Sequence, residues 1–426
     1  MPVSAFLAGG FYESTYSLLA AVTWLTLAAV AALGLGRRPS GAFWALAAFG
    51  AWSAASALWG PAGPALRTVP LVALYAGALL AAEWVDGEEL LHALLWGIVV
   101  VAAAGLVGKA IGVTEGSRLA WPVTYANGLG LLAVTCVVLA VGLRPRLWLP
   151  AAAVCAACAF LTYSRSALLV GLACLLFLML PRRGALVVAV PLVVLALVAA
   201  RPLAARFAAP APDSRDARRL VQLSGQGRAP LWRAAVREGR DHPLAGGGAG
   251  SWNRAYIAQT GSLAGPANAH SLPLETFAEL GLVGLALLSA FLALAFRGQE
   301  RVVVAVLAAF AVVSLVDWTW QLPAATLPAL LAAGSERRLP RLGAGAGVAL
   351  GIAALVLGAA VAAHGVGAAL VETGRRPALA SRLLPYDARP WVAGSPARAC
   401  RIDPGEPMLQ RLAHPPEGCR RPLGSR

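Results

Sequence analysis

Apolar residues run along this chain in long unbroken blocks instead of alternating with polar ones. Each block is close to the roughly 20 residues that a helix needs to cross about 30 Å of hydrocarbon. The blocks predict spans at 18–36, 42–59, 67–83, 91–111, 124–143, 147–164, 166–181, 184–203, 274–296, 302–317, 320–334 and 342–366. An outer-membrane barrel is a poor fit, because its strands would alternate apolar and polar residues over about ten positions. The pattern therefore predicts an all-α, polytopic integral membrane protein of about twelve transmembrane helices, with one long polar loop at 204–273. Residues 1–366 form the expected transmembrane domain, and 367–426 a polar C-terminal tail.

Orientation follows from where the basic residues fall in short loops, because acidic residues contribute little to that rule. One alternating set of loops holds Arg37 and Arg38, Arg144 and Arg146, Arg182 and Arg183, Arg297 and Arg301, and Arg337, Arg338 and Arg341. The opposite short loops hold only Arg67, Arg118 and Arg165. The first set is expected in the cytoplasm, which puts both termini outside. The acidic 83–89 loop neither supports nor opposes this. The loops carrying Arg118, Arg165, the 204–273 segment and Asp317 then share the extracytoplasmic side.

Composition agrees with the class: 59% of residues are hydrophobic and 13% charged, about half the ~25% charged fraction of soluble domains. The formal net charge of +15 is almost all arginine, since Lys109 is the only lysine. Guanidinium forks suit phosphate, but GC-rich coding also produces a chain rich in Ala, Gly, Arg and Pro. Position must therefore decide, and the scatter of basic residues over short loops argues against nucleic acid as a partner. The first basic residue, Arg37, follows the first apolar block, so no secretory signal peptide is expected. Cys136, Cys155, Cys158 and Cys174 lie in apolar blocks and read as core packing, with no second ligand pair to complete a zinc site. Cys400 and Cys419 lie in the tail and are the two cysteines placed to pair.

The long loop is basic, carrying Arg206, Arg215, Arg218, Arg219, Arg228, Arg233, Arg237, Arg240 and Arg254 against Asp213, Asp216, Glu238 and Asp241. In APLWRAAVREGR, Pro230 suits a helix start and Arg233, Arg237 and Arg240 recur along one helical face, a stripe able to line an anion site. The alternative is a solvated basic loop. The glycines of AGGGAGSW could let amides approach an anion, though without Gly-Lys-Ser/Thr there is no P-loop, and a flexible turn is the plainer reading. In NAHSLPLETFAELGLVGL, Ser271 and Pro273 open a helix just after His270. A histidine at that position tends to stay neutral and able to accept a proton; a polar cap is the competing role. Glu279, inside the span, is expected to pair with an arginine. His242 is expected to order a turn, while His92, His364 and His414 have no partner legible in the sequence.

Taken in order, TYSRSALL, APLWRAAVREGRDHPLAGGGAGSW and NAHSLPLETFAELGLVGL resemble the O-antigen ligase and O-antigen polymerase superfamily. RLAWPVTYANGLGLL and VDWTWQLP resemble segments of its Gram-positive-type relatives. The resemblance covers most of residues 20–366 and rests on the ordered set more than on any one piece. It implies a membrane glycosyltransferase that moves a glycan from undecaprenyl diphosphate to a hydroxyl acceptor on a glycan, lipid or protein. That transfer would take place at the outer face of the cytoplasmic membrane, among membrane lipids. Inversion at the anomeric carbon is implied, with no cofactor and no required metal. Carried over by motif, His270 would be catalytic, and Arg165 and Arg233 would bind diphosphate. Arg118, Tyr125, Asn127, Arg237 and Asp317 form a second tier. The tail departs from the pattern, faintly resembling one helical-repeat unit where relatives carry longer arrays; a single unit cannot bury a solenoid core, so a truncated, partly disordered remnant is the other expectation. Two alternatives stand beside this reading: a glycan-repeat polymerase of the same superfamily, and a transporter or flippase for the same lipid-linked glycan, although transporters gather ionisable residues near the midplane.

Overall fold

The computed structural model describes residues 1–113, 116–181, 227–262, 266–337, 339–412, 416 and 419. Among them the chain is helical, and its one β feature is an isolated bridge between Arg37 and Arg341. Among the described residues, seven helices are long and apolar enough to cross a membrane, and three shorter ones are apolar. The chain is a multi-pass membrane protein. Every span predicted from the sequence falls on a helix except 184–203, which lies outside the described residues. Two compact units divide the chain, one of residues 1–11, 85–232 and 295–337, the other of 12–84, 233–294 and 338–426.

In the first unit, α1 (Pro2–Phe6) precedes the long helices α5 (Gly87–Ala110) and α6 (Ala126–Leu143) and the shorter α7 (Trp148–Leu161), α8 (Arg165–Met179), α12 (Arg301–Ser314) and α13 (Pro323–Ser335). Helix α6 is the hub: it packs against α5, α7, α8, α12 and α13 and is the most deeply buried of the long helices. Small residues allow the close approach that packing in lipid requires. Gly130 sits against Thr162, Ser164 and Ala167, and Gly171 against Val134. A helix buried all round is apolar all round, which is why the α6 sequence has no polar face.

The second unit is built on α2 (Glu13–Ala32), α3 (Gly41–Ala55), α4 (Ala62–Trp84) and α14 (Ala344–Glu372), with most of α11 (Leu272–Phe296). Helices α2 and α14 lie antiparallel along their length. Gly347, Gly351, Gly358 and Gly365 set one face of α14 on Ala31, Ala28, Leu25 and Ser17 in turn. At one end Ser14 bonds Glu372; at the other Arg38 N–H donates to Pro340 O (2.9 Å) and Leu342 N–H to Gly36 O (3.0 Å).

The tail, which the sequence presents as polar with at most one repeat unit, folds into α15 (Pro377–Leu383), α16 (Pro396–Ile402) and α17 (Pro407–Gln410). These enclose a small core of Ala388, Val392, Ala399, Leu409 and Cys419. Cys400 and Cys419 are bonded, with Cα atoms 6.0 Å apart. The four cysteines in apolar blocks are buried and free.

Candidate functional site

In the first unit the site grows from the first turn of α6. The amide of Asn127 is used at both ends: its Oδ1 accepts from Arg118 Nη2 (2.7 Å), and its Nδ2 donates to Asp317 Oδ2 (2.7 Å) and to Tyr125 Oη (3.0 Å). Arg118 also donates through Nε to Thr162 O (2.8 Å), tying the α5–α6 loop to the end of α7. Asp317, fully buried after the end of α12, accepts from Tyr125 Oη (2.8 Å) and its neighbour Trp318 N–H (2.8 Å) at Oδ1. At Oδ2 it accepts from Asn127 and from Arg228 Nη2 (2.8 Å). A buried carboxylate is tolerated only when so saturated. The Tyr125 ring lies 4.4 Å from that of Trp318.

Electrostatics follow from that geometry. The Tyr125 phenol, beside the buried Asp317 carboxylate, is a donor to it. Burial, with repulsion from Arg228, lowers Arg118 despite the opposing pull of Asp317. Arg165, the first residue of α8, lies within electrostatic reach of both Arg228 and Arg118. Arg228 thus pairs with the carboxylate, and Arg118 and Arg165 lie within electrostatic reach of Arg228. Like charges gathered in one partly buried place repel, and an anion bound among them relieves that repulsion. A separate cavity of about 590 Å³ lies at the other end of α6, lined by residues that include Arg144, Glu300 and Arg301, and is remote from this cluster.

Other predicted residues belong to the second unit. Helix α9 (Arg228–Asp241) begins in the first unit, and from Arg233 onward belongs to the second. Arg233, Arg237 and Arg240 share its exposed face, while Gly239 sits against the Phe277 ring of α11 with no room for a side chain. His270 stands immediately before α11 with a left-handed backbone (φ 54°). Its Nδ1 is 3.3 Å from Asn268 O. A carbonyl cannot donate, so that contact favours the proton on Nδ1 and leaves Nε2 as the basic nitrogen. Glu275 reaches back from the first turn of α11 to Ala269 N–H (2.7 Å), holding the loop from the other side.

The glycine run AGGG is neither an anion cradle nor a loose turn. Gly247 N–H and Gly248 N–H donate to the Ala278 and Glu279 carbonyls (2.9 and 2.8 Å). Helix α11 breaks at Gly281 (φ 65°, ψ −160°), and Leu282 and Val283 N–H turn to Pro243 and Leu244 carbonyls (2.8 and 3.2 Å). The loop is thereby strapped onto an opened helix, satisfying backbone groups that a break inside a membrane would otherwise orphan. Glu279 corrects another expectation: its carboxylate accepts from backbone, including Trp252 N–H (3.1 Å), and among the described residues not from an arginine. His242 lies 3.9 Å from Glu238 in the turn after α9. His364 has partners the sequence did not disclose, Tyr386 (2.8 Å) and Glu13 (2.7 Å), and His414 lies outside the described residues.

Residues 150–289 match the family model of O-antigen ligase. A comparison with curated proteins gives no match. The matched third of the chain holds Arg165, Arg228, Arg233, Arg237 and His270, whereas Arg118, Tyr125, Asn127 and Asp317 fall on either side of it. Arg228 and Glu275 are the residues that sequence reasoning passed over. Arg228 stood among many loop arginines, and its sole distinguishing signal was its place at the start of the α9 helix.

Proposed function

We propose that this chain is a membrane glycosyltransferase that moves a glycan from undecaprenyl diphosphate to a hydroxyl acceptor at the outer face of the cytoplasmic membrane. The observation that carries the reading is the grouping of Arg118 and Arg165 with Arg228, itself paired with Asp317, two of the three lying in the segment that matches O-antigen ligase. A diphosphate diester is the anion such a group of forks suits. Arg165 and Arg233 bind the diphosphate, and Arg118 and Arg228 extend that field. As the glycosidic bond breaks, the carrier diphosphate gains negative charge, and fixed guanidinium groups stabilise it without having to reorganise.

His270 accepts the acceptor's hydroxyl proton at Nε2 while the oxygen attacks the anomeric carbon from the face opposite the leaving diphosphate, so the configuration inverts. The reaction balances: one C–O bond forms, one breaks, the proton rests on histidine and the carrier leaves as its diphosphate. A glycan-repeat polymerase would use the same steps with a second lipid-linked glycan as acceptor. A transporter of the lipid-linked glycan would need none of them.

The test is transfer from purified undecaprenyl-diphosphate glycan in proteoliposomes with chelator present. Carrier release with an attached or lengthened glycan is expected, and His270→Ala should slow it by about 10²–10⁴-fold. Glycan that crosses the bilayer still joined to its carrier would refute the transferase and identify a transporter.

A further inference from the structure

Beyond Glu372, which bonds Ser14, the tail's described carboxylates, Asp387, Asp403 and Glu406, are buried, and each engages an arginine. Asp387 meets Arg389, which also reaches Glu13 (2.8 Å) at the start of α2. Glu406 lies 3.8 Å from Arg67 of α4. Asp403 takes Arg254 in a two-pronged fork, Nη1 to Oδ1 (2.8 Å) and Nη2 to Oδ2, and accepts Gly405 N–H as well (3.1 Å). Arg254 is not a tail or span residue. It belongs to α10 (Trp252–Thr260) in the long loop.

From Arg254 the contacts lead toward His270. Its neighbour Asn253 donates through Nδ2 to Pro266 O (2.9 Å), four residues before the histidine. On its other side Trp252 N–H is fixed by Glu279. Helix α10 has only nine residues, too short to hold itself in water, so its position depends on what grips it. One grip comes from the tail, and Asp403 stands three residues after Cys400, inside the loop that the Cys400–Cys419 bond closes.

We propose that the C-terminal tail is a clasp for the long loop, in which Asp403, held in the disulfide-closed segment, is a positioning residue that fixes His270 through Arg254, Asn253 and Pro266. This rests on the reading of His270 given above only for its effect on turnover; the mechanical part stands by itself. Hydrogen exchange on the full-length protein in lipid nanodiscs, without glycan, tests it. In Asp403→Asn, amides of 252–260 are expected to exchange about tenfold faster, the loss appropriate to one charge-assisted fork, while α2 and α14 keep their parental rates. Arg254→Gln attacks the pair from the other side and should give the same local pattern, as should Cys400→Ser with Cys419→Ser. Unchanged exchange at 252–260 in Asp403→Asn overturns the clasp, and so does an increase spread equally over α2 and α14, which would make the tail ordinary core. In the transfer assay kcat should fall in Asp403→Asn with the donor KM held. Parental kcat with a loosened loop would sever the link to His270, whereas a loosened loop in a chain whose parent transfers nothing would count against the glycosyltransferase and leave the clasp intact.

Discussion

Asp317 holds two oxygens against four donors, and three of those donors come from side chains far away in sequence or across a loop. Removing its charge leaves two guanidinium groups close together without the carboxylate that reconciles them. Asp317→Asn is therefore expected to lower stability by about 3 kcal/mol, within the range for breaking a buried ion pair, and to weaken donor binding by misplacing Arg118 and Arg228. Thermal unfolding in detergent and the donor KM check this; parental values for both would mean that the arginines are held by something else. The pairing itself was not legible in the sequence. Asp317 and Arg228 are 89 residues apart, and no period or motif joins them. Asn127 and Tyr125 stood out only as parts of a motif, whereas His270 was readable from local rules, because Ser271 and Pro273 mark the helix start beside it.

Long apolar blocks make helices readable, since a segment in lipid must satisfy its own backbone, and this is why the predicted spans coincide with α2 to α8 and α11 to α14. What the blocks hide is a break. The run ELGLVGLALL reads as uninterrupted span, yet α11 opens at Gly281, where φ is 65° and ψ −160°. A side chain there would be strained by about 1–3 kcal/mol, and its Cβ would come within 2.3 Å of the Leu244 carbonyl carbon. Gly281→Ala is thus expected to detach the 243–248 strap. Faster hydrogen exchange at Gly247 and Gly248 would register that loss, and parental protection there would rule it out. The tail was equally hidden, for a different reason. Among the described residues its core has only five buried members, and it depends on ionic partners in α2, α4 and α10 that no local pattern announces.

Across the whole chain, the sidedness expected from arginine placement has a direct test. Four native cysteines are buried and two are bonded to each other, so an engineered thiol would react almost alone. Ser117→Cys is expected to react with an impermeant maleimide added outside intact cells, and Arg146→Cys only after permeabilisation. The reverse pattern would turn the protein over and place the arginine cluster in the cytoplasm. The zipper between α2 and α14 bears on how the protein is made. Helix α2 is made long before α14, so a growing chain carries an unmatched helix, with Glu13 lacking His364, until α14 follows. A product cut short before residue 344 would display that solitary acidic group and a stripe of bare small residues, giving membrane quality control a ready mark of an unfinished molecule.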